Sequence, residues 1–549
     1  MFARIPLFRP LVKVALPSGS GRHRKVAIGA MVTFALVGLM LVRGFPRGYE
    51  STAYHLPIAV HMFQAQSLEV WDTVGIHAYP ANISVYFGFL LGFIPERLVA
   101  AGGMVFLVPL FVAIYALSRA TTAEIDAARW AALGILTIPI VAFGAFEAAA
   151  DVPAIVFLAI ALYFAVTTPA SPVLSGLAAG LAFGFKPLHL ISIAFLFVVL
   201  LLREWASRDH SGLNRFWSTG RPAILFGFST LGIASFWLVR NYVELGNPLY
   251  PIHYGFFDLL GWAKAPDADF ADVGMTQFEW VRTPAEWFLY PWLEWHFAGQ
   301  NFKASSGLGA FFAATVPVAC AVSFVQVFRT GTDRQPLAYL LTGGTFVLFT
   351  WALLGDRQPR YAMAALVFLV PLVAAMISLT QGSQRRFLEW IIGLCVFVML
   401  FVIMSKEVVE FGRRFVYARQ NTRHAFYRYP ETIDRLPEGS TVVNFARRTL
   451  NYGLYGEKHR NRVIGYFNAY RSVAVPTTDW IPESAPEAAR LEFSTLKKLG
   501  ATHLVTEGSP RLLLDGCVSL QQLDSLDINP GLGTPLEKPI TLYQISYCN

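Results

Sequence analysis

The sequence predicts a polytopic α-helical membrane protein of about eleven transmembrane helices, N-terminus in and C-terminus out, with a small α/β domain on the outer face. Three observations predict it. Of the 549 residues, 55% are hydrophobic and only 15% charged, with a mean hydropathy of +0.47; a soluble domain carries about a quarter charged residues. Apolar runs of bilayer length recur through roughly the first 400 residues. Arginines gather in the short loops between those runs, as the positive-inside rule expects. That distribution also accounts for the net charge of +8 without invoking nucleic acid as a partner.

Taken in order, the first expected span is 26–42, "VAIGAMVTFALVGLMLV", behind the basic stretch "GRHRK", which keeps the N-terminus cytoplasmic. No small-residue cleavage site follows it, so it is expected to stay on the protein. The next apolar stretch, 81–94, is too short to cross and is expected to lie in the outer interface. Further spans are expected near 98–117, 129–146, 152–167, 173–186, 188–202, 222–240, 307–328, 336–354, 361–379 and 388–404. With this parity the inner loops hold Arg119 and Arg129; Arg203, Arg208, Arg215 and Arg221; Arg329 and Arg334; and Arg385 and Arg386. Counting 81–94 as a crossing would put all of these outside. The pair 173–186 and 188–202, divided at "FKP", is open between two short spans and one re-entrant pair broken at Pro187.

The expected organisation is a transmembrane domain over 1–404, with outer loops at 43–97 and 241–306, and an outer domain over 405–549. The second of those loops is rich in tryptophan, suited to a membrane belt or to covering a sugar or lipid chain. The last segment contains the β-like runs "STVVNF", "RVIGYF", "THLVTE" and "TLYQISY". Four cysteines are present: Cys320 and Cys395 lie within apolar runs, while Cys517 and Cys548 can pair if the C-terminal region faces an oxidising compartment.

Ionisable groups at membrane depth are expensive and are functional candidates by default. On this topology they collect at one outer rim. Glu50 and His55 fall in "GYESTAYHLP" after the first span, with His61 beyond them. Glu147 and Asp151 flank the outer end of the third span, and Lys186 follows the fifth. Arg240 ends the seventh, and "GDRQPRY", with Asp356, Arg357, Arg360 and Tyr361, opens the tenth. A carboxylate can act as general base on an acceptor hydroxyl or amine. Arginine holds phosphate through forked hydrogen bonds and lysine as a point charge. A carboxylate beside such cations suits transfer from a phosphate-linked donor. Most of these residues also have a plainer reading: Glu50 as a solvated loop carboxylate, Asp151 as a helix cap, Lys186 as a snorkelling side chain, His55 as a structural hydrogen-bonder, His61 as interfacial packing.

The ordered pieces "GYESTAYHLP", "HAYPANISVYFGFLLGF", "FEAAADVP", "GLAAGLAFGFKP", "RNYVELGNPLYP" and "DRQPRYAMAALVFLVPLV" resemble the GT-C superfamily of integral-membrane glycosyltransferases, in the branch similar to protein O-mannosyltransferases and the lipid A aminoarabinose transferase. The resemblance implies a sugar moved from a polyprenyl-phosphate donor to a lipid, polysaccharide or protein acceptor at the outer face of the bacterial inner membrane. It implies an acidic residue in the first outer loop, where Glu50 stands in place of the commoner aspartate, and a second one matched by Asp151. It further implies phosphate contacts from Lys186, Arg240 and Arg360, with Tyr361 beside them, and a divalent metal only in some members; Glu50 and Asp151 with His55 permit such a site without demanding it, and His55 and Glu147 are the acceptor- or metal-proximal residues. Two alternatives stay open: a transporter or flippase, which predicts polar residues through the depth of the bundle, and a glycolipid-binding scaffold without catalysis.

Overall fold

The computed structural model describes residues 22–69, 78–122, 124–167, 170–207, 213–250, 255–262, 307–330, 335–354, 359–417, 419–465, 474–476, 488–491, 493–508, 511–514, 517–528 and 535–548. The main helices are α1 (Arg22–Leu41), α2 (Leu56–Ala65), α3 (Asn82–Phe93), α4 (Leu107–Thr121), α5 (Ile125–Leu136), α6 (Asp151–Val166), α7 (Pro172–Phe185), α8 (Leu190–Ser207), α9 (Leu213–Leu245), α10 (Gly309–Thr330), α11 (Gln335–Leu354), α12 (Met363–Ser378) and α13 (Gly382–Phe411). Among the described residues, the stretches Gly102–Thr121, Gly220–Leu245, Gly309–Arg329, Arg360–Ser378 and Gly382–Val416 are long and apolar enough to cross a membrane. Lys25–Leu41, Asn82–Phe93, Asp151–Val166, Pro172–Phe185 and Pro187–Arg203 are shorter apolar helices. The tryptophan-rich stretch from 263 to 306 lies outside the described residues, as do Asp356 and Arg357.

The chain divides into two units. The first comprises 1–38, 103–146 and 150–406; the second comprises 39–102, 147–149 and 407–549. In the first, α12 is the axis: Met363 through Ile377 are all buried, and α4, α5, α6, α10 and α11 pack around it. A helix apolar on every side belongs inside a bundle rather than at its lipid face. By contrast α9, α10 and α13 leave large apolar side chains such as Phe228, Phe328 and Phe397 exposed, as lipid-facing helices do.

Small residues set a close helix contact in this unit. Gly176 and Gly180 repeat at four-residue spacing on α7 and meet α9. A Cβ on Gly176 would fall 2.4 Å from the Phe226 carbonyl oxygen, and one on Gly180 would fall 2.6 Å from Ile233 Cβ. This is the small-xxx-small device by which helices approach in a membrane. The segment expected as one span over 129–146 is instead two helices, α5 and a short Pro139–Gly144 turn of helix. Pro139 disfavours the helical conformation at Ile138, which is extended (ψ 120°).

In the second unit, β1 (Thr441–Phe445), β2 (Arg462–Ile464), β5 (His503–Glu507), β7 (Val518–Ile528) and β8 (Pro535–Tyr547) form one sheet of order β2-β1-β5-β8-β7. β1 runs parallel to β2 and β5, while β8 is antiparallel to β5 and β7. Each of the four β-like runs read from the sequence contributes a strand to this sheet, "RVIGYF" through Arg462–Ile464. Val443, Phe445, Ile464, Leu496, Leu504 and Ile545 form its core. A smaller sheet joins β3 (Ala474–Pro476), β4 (Ala488–Leu491) and β6 (Arg511–Leu514). The same unit contains α2 and α3, which pack together where Gly88 lies against Ala59.

Candidate functional site

Two groups of polar side chains stand out, one in each unit. In the first unit, the break at "FKP" builds the site. Proline at 187 disfavours a helical conformation at the residue before it, so α7 ends at Phe185 and Lys186 is extended (φ −151°, ψ 108°). A single 3₁₀ turn, Pro187–His189, leads into α8. Lys186 is thereby freed from the helix and forms a hydrogen-bonded ion pair with Asp151, the first residue of α6. Both side chains are largely buried, 13% and 9% exposed. Asp151 also sits where the positive end of the α6 dipole favours a carboxylate.

The opposite wall is Arg360–Tyr361, in the 3₁₀ turn Pro359–Ala362 that precedes α12. The Tyr361 ring lies under the Lys186 ammonium at 4.8 Å and under the Arg360 guanidinium at 5.0 Å. Arg360 Nη2 donates to the Tyr361 hydroxyl at 3.1 Å. Arg360 and His189 both lie within electrostatic range of Asp151. The cluster therefore combines a lysine and an arginine with one carboxylate, a tyrosine and a buried imidazole. An ammonium has three donors, and Asp151 takes one. The net positive charge and remaining donors suit an anion such as a phosphate.

Arg240 is buried at the C-terminal end of α9 with partners of its own: Asn241 Oδ1 accepts from its Nη2 at 2.8 Å, and Trp237 stacks on its guanidinium at 4.7 Å. The structure thus brings together Asp151, Lys186, Arg360 and Tyr361, and it adds His189. His189 is not among the residues singled out from the sequence, where one imidazole in an apolar stretch reads as core.

The second unit carries the first-loop residues. Ser51–His55 forms a turn of π-helix, with the Leu56 N–H donating to the Ser51 carbonyl. A turn closing over five residues, common at functional sites, brings Glu50 and His55 to one side: His55 Nε2 lies 3.9 Å from Glu50 Oε2, and Glu50 is 9% exposed. The Ala148 N–H donates to Ser51 Oγ at 2.8 Å, which ties this turn to the Glu147–Ala149 segment. Gly48, at φ +103°, takes a backbone conformation that favours glycine, and a Cβ there would also fall 2.3 Å from Glu147 Oε2 and displace that carboxylate. Glu50, His55 and Glu147 thus share one neighbourhood. Among the described residues, no three His, Cys, Asp or Glu side chains converge as a metal site needs.

No protein-family model matches the sequence, and no curated protein matches it. Solved structures do match by fold. ArnT from Cupriavidus metallidurans bound to undecaprenyl phosphate superposes with a TM-score of 0.57 at 12% identity, covering 95% of this chain and 98% of ArnT. The apo state of the same protein gives a TM-score of 0.56 at 11% identity over 94% of this chain and 97% of ArnT. The chain thus shares the fold of ArnT, and its long apolar helices are those of a multi-pass membrane protein.

Proposed function

We propose that the protein is a glycosyltransferase that moves one sugar from a polyprenyl-phosphate donor to a lipid, glycan or protein acceptor at the outer face of the cytoplasmic membrane. The observation that carries the reading is the Asp151–Lys186–Tyr361–Arg360 cluster, a cationic site buried among apolar helices, in a chain sharing its fold with a protein that binds undecaprenyl phosphate. A phosphate at the end of a hydrocarbon chain needs such surroundings: lipid-facing helices for the chain and fixed cations for the head.

In this reading about eleven helices cross the membrane with the N-terminus inside. Residues 1–404 form the catalytic domain, and 405–549 form an outer domain that guides the acceptor. Glu50 accepts the proton of the acceptor hydroxyl or amine as that atom attacks the anomeric carbon. The bond from that carbon to the phosphate oxygen breaks, and the electron pair leaves with the lipid phosphate. Lys186 and Arg360, with Arg240, offset the charge that develops there; Tyr361 orients both cations through its ring. Asp151 holds Lys186 in place, and His55 and Glu147 border the base. Attack from the face opposite the leaving phosphate inverts the anomeric centre.

Glu50→Gln should leave the protein folded and abolish transfer, read by mass spectrometry of membrane glycolipids and surface glycans in cells carrying either form. Undiminished product from Glu50→Gln would overturn the assignment of the base.

A further inference from the structure

The π turn that carries Glu50 contains its own weakness, because Pro57 follows it. A carbonyl in a helix is satisfied by the N–H four residues on, or five in a π register. For Thr52 these are residues 56 and 57: the Leu56 N–H already serves Ser51, and Pro57 has no N–H. In the α register the Ala53 carbonyl faces the same proline. The Thr52 carbonyl thus loses both of its helical partners and the Ala53 carbonyl its α-register one, and an unpaired buried carbonyl costs about as much as a lost hydrogen bond.

Both are served by residues distant in the chain but in the same unit. The Tyr452 N–H donates to the Thr52 carbonyl at 3.1 Å, and Asn451 Nδ2 donates to the Ala53 carbonyl at 2.9 Å. The donors are themselves fixed. Asn444 Nδ2 donates to Asn451 Oδ1 at 2.6 Å, so the Asn451 amide can point only one way. Arg423, 4% exposed, donates through Nη2 to the Tyr452 carbonyl at 2.8 Å and through Nη1 to that of Gly453 at 2.7 Å, while Nε donates to Glu96 at 3.1 Å. Beyond the turn, the Tyr455 hydroxyl donates to the Pro57 carbonyl at 3.3 Å.

We propose that Asn451, together with the Tyr452 peptide, is a positioning element that holds the Glu50-bearing turn in its π register, so that the C-terminal region governs the geometry of the catalytic base. The inference rests on the reading of Glu50 as that base. Asn451 touches no reacting atom. Its effect passes through the Ala53 carbonyl to a turn that places Glu50 and His55 side by side.

The test uses hydrogen–deuterium exchange on the intact protein in lipid nanodiscs. Asn451→Ala should speed exchange at the amides of 52–56 by about tenfold, the consequence of leaving a buried acceptor unsatisfied. The amides of β1 and β5 should stay as protected as before. Adding Pro57→Ala returns an N–H to position 57, which can serve the Ala53 carbonyl from within the helix, so the double variant should regain most of the lost protection. A merely structural role for Asn451 would not be rescued from that position. In cells, Asn451→Ala should lower the glycan product about tenfold while leaving the thermal stabilisation by undecaprenyl phosphate unchanged, since the phosphate-binding cations are untouched. Unchanged exchange at 52–56, loss of protection spread equally over β1 and β5, or no recovery on adding Pro57→Ala would each overturn the proposal. If Asn451→Ala loosens the turn while Glu50→Gln keeps full product, the coupling stands and the reading of Glu50 as base falls.

Discussion

Burying Asp151 and Lys186 strips both of water, and their attraction offsets that cost only while both are present. Asp151→Asn should therefore destabilise the protein by about 3–5 kcal/mol by leaving a buried ammonium uncompensated, whereas Asp151→Leu with Lys186→Met should recover most of the loss. Thermal unfolding in detergent separates these outcomes. On the proposed function, undecaprenyl phosphate should raise the unfolding temperature of the wild type and not that of the double variant; an equal shift in both would mean the pair serves structure alone. His61, outside the candidate spans, is a second residue with a measurable charge. Burial pushes its imidazole down to about 4, with the charge of Arg462 adding to the effect and Glu69 opposing it. The folded form refuses a proton that the unfolded form takes up below pH 6.5. The stability His61 contributes is thus complete above pH 6.5 and is lost as the pH falls toward 4, by up to about 3 kcal/mol. A plot of unfolding temperature against pH should be flatter in this window for His61→Gln than for the wild type; parallel curves would remove His61 from the account.

At the scale of elements, the α7–α9 contact offers the sharpest test. Phe226 and Thr230 present backbone carbonyls to Gly176 and Gly180, and backbone cannot rotate aside as a flexible side chain can. Gly176→Val should force α7 away from α9 and cost about 1–3 kcal/mol, seen as a lower unfolding temperature and a reduced yield of folded protein. Because α7 delivers Lys186, the variant should also weaken undecaprenyl phosphate binding, though the substitution lies more than two helical turns from the lysine. Gly232, with open space around its Cβ position, provides the control: Gly232→Ala should have little effect on either measurement. The elements differ in how much of them the sequence reveals. The break at Lys186 was legible because proline acts locally on the residue before it. The strands were legible from short β-branched runs such as "STVVNF". Lys186, Arg360 and Tyr361 could be grouped before any coordinates because each sits at the end of an apolar run, where a charge is conspicuous. His189 was not, since one imidazole in an apolar stretch reads as core. The clamp from Asn451 to Ala53 was not legible either: it spans 398 positions, and nothing local to an asparagine in a polar loop names a carbonyl so far away.

For the whole molecule, the orientation in the membrane is the claim that binds the rest together, and the C-terminal sheet supplies a test of it. Val518 of β7 pairs with Tyr547 of β8, so Cys517 and Cys548 are the next pair beyond the ladder, and the Cys548 N–H donates to the Cys517 carbonyl at 3.1 Å. Directly opposed residues of an antiparallel pair have Cα atoms about 4.5–5.5 Å apart, within the span a disulfide bridges. Whether a disulfide persists depends on the compartment: it is maintained in a periplasm and reduced in a cytosol. The proposed topology, N-terminus inside with about eleven crossings, an odd number, puts the sheet outside, and it predicts that Cys517 and Cys548 are joined in protein drawn from native membranes under alkylation. Peptide mapping without reductant should find 517 linked to 548, while Cys320 and Cys395, inside apolar helices, should be recovered as single thiols. Full alkylation of Cys517 and Cys548 in intact cells by a membrane-impermeant reagent would still place the sheet outside but deny the bond. If those two cysteines react only after the membrane is opened, the sheet lies inside, the crossing number is even, and Glu50 cannot meet a donor on the outer face.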